Sequence, residues 1–529
     1  MLILYNANIL TPEHGNRFGT ALAIQGEYIL DVGDDAYILA NYGYRAKILD
    51  MDGKTIWPGL TDSHIHLLEY GLSLNYVDCE TPTLPACLNR IAEKARQTPP
   101  GEWILGHGWN QNTWEHGFGN AAILDSITSE HPIYLTSKSL HSAWINSKAM
   151  QIANITADSV DPHEGVIQRD DQGVPTGILL ESAVNLCKDK IPLPDENQIK
   201  KALLNAQNEL LSMGVTGVHD FDGLNCFSAL QIIDAEGSLH IHVIKGIPVD
   251  NLPEATELGI RAGYGNDHIR IGPVKLFADG ALGPHTAAMT SPYEDDPNNS
   301  GILFLNSEQI FTHGKKAVES GLNLAIHAIG DRANKEVLDG LVKLRAYEAD
   351  RHLPPLRHRI EHVQLINPDD QKRLAKYKII ASMQPIHAIS DMEMADRYWG
   401  KRSKHAYAWQ TIRQNKSILV FGSDAPVESP NPFWGLHAAV NRTRFSDGSP
   451  GKSWYPEQRL SLSHALQAYT YGPAYAAGIE THSGNISPGY NADLIILDSD
   501  PFKTSTESLH TIKPSATMVN GKWVWKADE

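Results

Sequence analysis

Six polar residues sit at the ends of apolar stretches, where each can bind a divalent metal or carry a proton. They are His64 and His66 in TDSHIH, Lys275 in PVKLFADG, His327 in LAIHAIGD, His362 in RIEHVQ and Asp424 in FGSDAP. Imidazole nitrogens suit zinc and similar metals, and a carboxylate adds an oxygen ligand that also takes a proton from attacking water. His64 and His66 are two residues apart, which on a strand puts both rings on one side. Alone, each residue has a plainer reading. An HxH pair is more often a surface or loop feature, and a single His327 or His362 a hydrogen-bonded core histidine. Asp424 fits a helix N-cap, and Lys275 an ion pair with Asp279. A buried lysine with a lowered pKa has a further option, because its neutral amine reacts with carbon dioxide. The resulting carbamate is anionic and can bridge two cations about 3.5–4 Å apart.

The elements that must position these residues are legible as eight apolar runs ending in polar residues. They are PGLTDSHIH, VTGVHDF, LHIHVIKGI, RIGPVKLFADG, NLAIHAIGD, HRIEHVQ, IIASMQP and LVFGSDAP. Helical patterns alternate with them, and eight such units predict a closed (β/α)8 barrel whose active face lies at the carboxyl ends of its strands. Between them, NPDDQKRLAKY predicts a helix with Asn367 as N-cap and Pro368 in the first turn. ENQIKKALLNAQNELLSMG predicts one that stops at Gly214. Short strands at the start (LILYNANIL, ALAIQGEYILDVG, KILDMDGKTIW) and end (ADLIILD, ATMVNGKWVW) read as two halves of one β-sandwich. The expected division is a first half-sandwich at 1–55, the barrel at 56–479 and a second half-sandwich at 480–529. Residues from about 70 to 195 are too long a crossover for one helix and read as an inserted subdomain. Their place after the first strand predicts a lid or wall at the barrel mouth.

Bulk properties narrow the partners. The chain has 529 residues, 42% hydrophobic, with 45 basic against 62 acidic side chains and a formal charge of −17. That balance argues against nucleic acid or an anionic membrane as the main partner and says little about a small-molecule substrate, whose site can differ in sign from the whole surface. Cys79, Cys87, Cys187 and Cys226 show no CxxC spacing and read as reduced thiols. The segment MLILYNANILTPEHGNR lacks the pattern of a signal peptide, and no apolar run approaches the roughly 20 residues that span a bilayer. The expectation is a soluble, cytoplasmic protein, with a homo-oligomer among the states common for such enzymes.

Taken in order, PGLTDSHIHL, GVTGVHDF, VKLFADGALG, IHAIGDRA, RIEHVQ, FGSDAPV and SGNISPGYNADLIILDSDPF resemble the amidohydrolase superfamily. Within it they are most similar to the branch of N-substituted formamide deformylase-like metal-dependent hydrolases, over almost the whole chain. The resemblance implies a distorted TIM barrel beside a split β-sandwich and hydrolysis of a C–N bond other than a peptide bond. It also implies one or two Zn2+ ions, or other divalent metals, per chain. His64, His66, Lys275 (as a carboxylated lysine), His327, His362 and Asp424 are then the metal ligands, with Asp424 also the catalytic acid and base. Some superfamily members have glutamate, cysteine or nothing at the lysine position and bind one metal. Glu181 in TGILLES matches a glutamate of this branch. His387 in MQPIHA is a candidate oxyanion donor, and Trp109, Asn110, Trp114 and His141 are candidate substrate-pocket residues. Loop histidines and packing aromatics are the ordinary alternatives for these. Two other functions remain open, a mononuclear deaminase of a heterocycle and a metal-free binding or scaffold relative. Formamides, acylated amines or amino acids, cyclic amides and esters share the chemistry, and fold does not select among them.

Overall fold

The computed structural model describes residues 1–11, 17–109, 114, 119–137, 142–162, 165–445 and 453–527. All eight expected runs form strands: β1 (Leu60–Ile65), β2 (Val215–Asp220), β3 (His242–Pro248), β4 (Ile269–Phe277), β5 (Leu324–Ala328), β6 (Arg359–His362), β7 (Ile380–Met383) and β8 (Leu419–Phe421). They pair in parallel in chain order, each beside the next. The closure of β8 on β1 is irregular, which is where the barrel is distorted. Asp424 donates its backbone N–H to the His64 carbonyl at 2.7 Å, and His66 donates to the Ala425 carbonyl at 2.9 Å. The buried Asp62 carboxylate completes the seam by accepting from the backbone N–H of His64 and of Ser423, both at 3.0 Å. Gly422 permits this approach, since a Cβ there would lie 2.5 Å from the His64 nitrogen.

Amphipathic helices cover the barrel. Helix Asp331–Asp350 buries Ala333, Val337, Leu338, Leu341 and Leu344, a helical spacing of three and four that turns one stripe to the core. Helix Ser307–Glu319 opens with a capping box, in which Asn306 and Gln309 each bond the other's backbone. Asn367 occupies the N-cap position before Pro368–Lys376 but differs from expectation in how it caps. Its side chain makes no capping bond, and its carbonyl accepts from Asp370 and Gln371 instead. The helix ending at Ser212 is followed by Gly214 at φ +80°, the left-handed turn a glycine adopts freely.

Both chain ends share one six-stranded sheet, in which Thr55–Pro58 lies antiparallel to Leu494–Leu497. A four-stranded sheet built from Leu2–Tyr5, Ala21–Gln25, Tyr28–Gly33 and Lys47–Asp50 packs against it through Leu4, Leu22, Ile9, Ile56, Leu494 and Met518. This is the sandwich expected from the two termini. The chain separates into two compact units, Met1–Tyr70 with Lys200–Glu529, and Gly71–Ile199. The second has its own six-stranded sheet and an apolar core. All four cysteines are buried free thiols. Among the described residues no helix is long and apolar enough to cross a membrane.

Candidate metal centre

His64, His66, Lys275, His327, His362 and Asp424 come together at the carboxyl ends of β1, β4, β5, β6 and β8. His64 is buried at the centre, with its Nε2 3.3 Å from Lys275 Nζ and 3.5 Å from Asp424 Oδ1. Asp424 Oδ1 lies equally far from His66 Nε2, at 3.5 Å. The His362 ring sits 5.0 Å from that of His64 and 4.5 Å from that of His327. Ligand atoms of His64, His362 and Asp424 all lie within 4.8 Å of one another.

Two of these positions, and the residue after the first of them, hold strained backbone. His362, Val363 and Asp424 have φ of +73°, +44° and +62°, a region that costs non-glycine residues about 1–3 kcal/mol each and clusters at functional sites. The turn at His362 has a visible effect. On a regular strand Glu361 and His362 would point to opposite faces, yet both reach the His64 ring.

Each imidazole gives one ring nitrogen to an acceptor outside the cluster. His64 Nδ1 lies 2.7 Å from Glu361 Oε2, His66 Nδ1 3.0 Å from Asp222 Oδ1, and His362 Nδ1 2.8 Å from Gln384 Oε1. His327 reverses the pattern, with Nε2 3.0 Å from the Gly280 carbonyl. A neutral imidazole has one N–H, and donating it outward leaves the other nitrogen as a lone pair. Burial holds the pKa of His64 and His362 well below the usual histidine value and pulls His327 down to about 3. For His66 burial acts the same way, but Asp222 and Asp424 outweigh it and the net shift is upward. Neutral nitrogens beside a carboxylate are the donor set that zinc-like cations take, so these residues fit a divalent metal.

Lys275 does not pair with Asp279. That carboxylate is committed to the backbone N–H groups of Ala288, Ile329 and Gly330 at 2.8–3.0 Å, which ties the β4 loop to the β5 loop. Lys275 Nζ instead faces the Phe221 and Phe277 rings, 4.7 and 4.8 Å from their centroids, and burial brings its pKa down to about 8. A second acidic group, Asp220, Asp222 and Cys226, is also close-set, but Lys245 Nζ lies 2.8 Å from Asp220 Oδ2 and donates to the Asp222 carbonyl. Lys245 thus already pairs with Asp220, and the Asp222 carboxylate is bonded to His66 and the backbone N–H of Leu68.

His387 is buried beside the cluster, its ring parallel to that of His362 at 6.2 Å. Trp109 belongs to the core of the Gly71–Ile199 unit. It is 1% exposed, stacks on Trp114 at 6.3 Å, and donates its indole N–H to the Leu135 carbonyl. That is a packing role, and Trp114 shares it. Glu181 ends strand Pro175–Glu181 in an exposed position with φ +50°. Asn110 and His141 lie outside the described residues. Sequence reasoning missed the acceptors Glu361, Asp222 and Gln384. The available signal was a carboxylate inside the apolar strand end RIEH and a second aspartate after VHDF.

Comparison with known proteins agrees with this architecture. The pattern of the amidohydrolase family matches residues 47–525. The chain is 31% identical to the Arabidopsis thaliana protein LONG AFTER FAR-RED 3, across 99% of this chain and 91% of that one. It is 28% identical to N-substituted formamide deformylase of Arthrobacter pascens, across 98% and 97%. A crystal structure of an uncharacterized metal-dependent hydrolase from Pyrococcus furiosus superposes with a TM-score of 0.78 at 30% identity, covering 95% of this chain and 99% of that one.

Proposed function

Because the chain belongs to the amidohydrolase family, we propose that it is a metal-dependent hydrolase cleaving an amide-type C–N bond of a small molecule. The observation that carries this reading is the convergence of four imidazoles, three of them held neutral by burial, and the Asp424 carboxylate at one end of the barrel. His64, His66, His327, His362 and Asp424 would hold the metal, with Lys275 joining them as a carbamate if two ions bind. A divalent cation supplies Lewis-acid polarisation of a carbonyl and brings the pKa of water down to about 7. Asp424, beside His64 and His66, accepts the proton of the attacking water and returns it to the leaving nitrogen. His387 is the candidate donor to the developing oxyanion, since its Nε2 is buried without a hydrogen-bond partner among the described residues. The resemblance to a formamide deformylase supports trying N-substituted formamides first.

A hydrolysis screen of zinc-loaded protein tests this, using formamides, acetamides, cyclic amides, esters and amino-heterocycles. The expected result is amine and carboxylic acid released together from an amide. Ammonia released from a heterocycle, with every amide untouched, would replace the proposal by the deaminase reading.

A further inference from the structure

Below the donor cluster, side chains and backbone from four strands meet at one buried arginine. Arg359 Nη2 donates to the Ser63 carbonyl on β1 at 2.7 Å, to Ser382 Oγ on β7 at 2.7 Å, and to Glu361 Oε2 at 2.9 Å. Its Nη1 lies 2.8 Å from His219 Nδ1 on β2, and its Nε donates to Glu361 Oε1. None of these side chains is more than 2% exposed. Glu361 Oε2 carries one further bond, to His64 Nδ1 at 2.7 Å.

Barrel interiors are ordinarily packed with branched apolar side chains. Replacing a buried ion pair by apolar residues of similar volume is often neutral or stabilising, so stability gives no reason for a guanidinium and a carboxylate here. Their geometry does. A carboxylate that accepts from Nδ1 keeps the single imidazole proton on that atom, fixes the ring plane and leaves Nε2 as a lone pair facing Asp424 and Lys275. Glu361 is in turn aimed by Arg359, whose guanidinium is also anchored on Ser63 of β1, His219 of β2 and Ser382 of β7.

We propose that Glu361, oriented by Arg359, is the positioning residue that sets the tautomer and direction of His64 for metal binding. The inference rests on the reading of His64 as a metal ligand. Three full-length proteins test it after chelator treatment: wild type, Glu361→Gln, and the double variant Arg359→Met, Glu361→Leu. The measurements are Co2+ affinity by chelator competition, the visible spectrum of the Co2+ form, and the melting temperature of metal-free protein. In the double variant, cobalt affinity falls about 10–100-fold, the range for lost outer partners of metal ligands, and the visible bands change. Its metal-free melting temperature stays level or rises, a divergence that a purely structural pair would not give. Glu361→Gln keeps an acceptor but loses the charge, so it falls less far. If the double variant does not fold, Glu361→Gln decides alone. Wild-type affinity and spectrum in whichever folded variant is measured overturn the inference. A wild-type chain that takes up no cobalt overturns the metal reading beneath it.

Discussion

On the proposed reading, Lys275 decides between one metal and two. Burial lowers its pKa to about 8, so near pH 7 roughly a tenth of the side chain is neutral amine, the form that reacts with carbon dioxide. An ammonium next to two dications is disfavoured, because like unit charges at ~4 Å repel by about 4 kcal/mol even at an effective dielectric of 20. Only the carbamate would contribute oxygen ligands. Lys275→Ala should therefore lose the second ion and most activity, with part recovered on adding short carboxylic acids that fill the space. Metal analysis and turnover with and without propionate check this. An alanine variant that keeps two ions and full activity would remove the bridging role. At this scale the sequence was informative about the donors, because each interrupts an apolar run. It marked Glu361 and Asp222 as carboxylates beside apolar strand ends but not which imidazoles they meet, since His64 and Glu361 are 297 positions apart and come together only through the fold. Trp109 had two readings in the sequence, pocket wall and packing, and its burial in the core of its own unit favours the second.

The strands could be read one by one because a short apolar run and a polar carboxyl end coincide in each. What patterning cannot show is how β8 meets β1, where ladder pairing gives way to Asp62, Ser423 and two backbone bonds. Gly422 tests that seam. An alanine Cβ would come within 2.5 Å of the His64 nitrogen and 2.6 Å of Asp62 Oδ1, and the first of these is backbone that cannot swing aside. Gly422→Ala should cost about 1–3 kcal/mol, as overpacking does, and should weaken metal uptake by displacing His64. Denaturant melts with metal content measured in parallel would show both. Wild-type values for both would mean that the seam is looser than its contacts indicate. The Asn367 cap is the smaller lesson here, because residue type identified the position but not which of its groups makes the bond.

At the scale of the whole molecule, the barrel and the terminal sheet are joined at Asp493. Its carbonyl accepts from Gly59, its Oδ1 accepts from Asn520 at 2.9 Å, and its Oδ2 lies 3.1 Å from Nε2 of His242 at the start of β3. Burial would lower the His242 pKa, but Asp493 outweighs it and raises the value to about 9. A histidine raised in the folded state stabilises fully below its unfolded value of 6.5, and that contribution is lost as pH rises through about 9. His242→Asn should destabilise the protein by about 3 kcal/mol at pH 6 and by much less at pH 10. Melting curves at both pH values test the sign, and a gap that widens with pH would contradict it. The central claim, that the barrel mouth holds a catalytic divalent metal, is tested most directly by titrating chelator-stripped protein with Zn2+ while following amide hydrolysis. Activity should be absent in the stripped protein and rise to a plateau at one or two equivalents per chain. Hydrolysis that persists without metal, or protein that binds no ion while remaining folded, would contradict it.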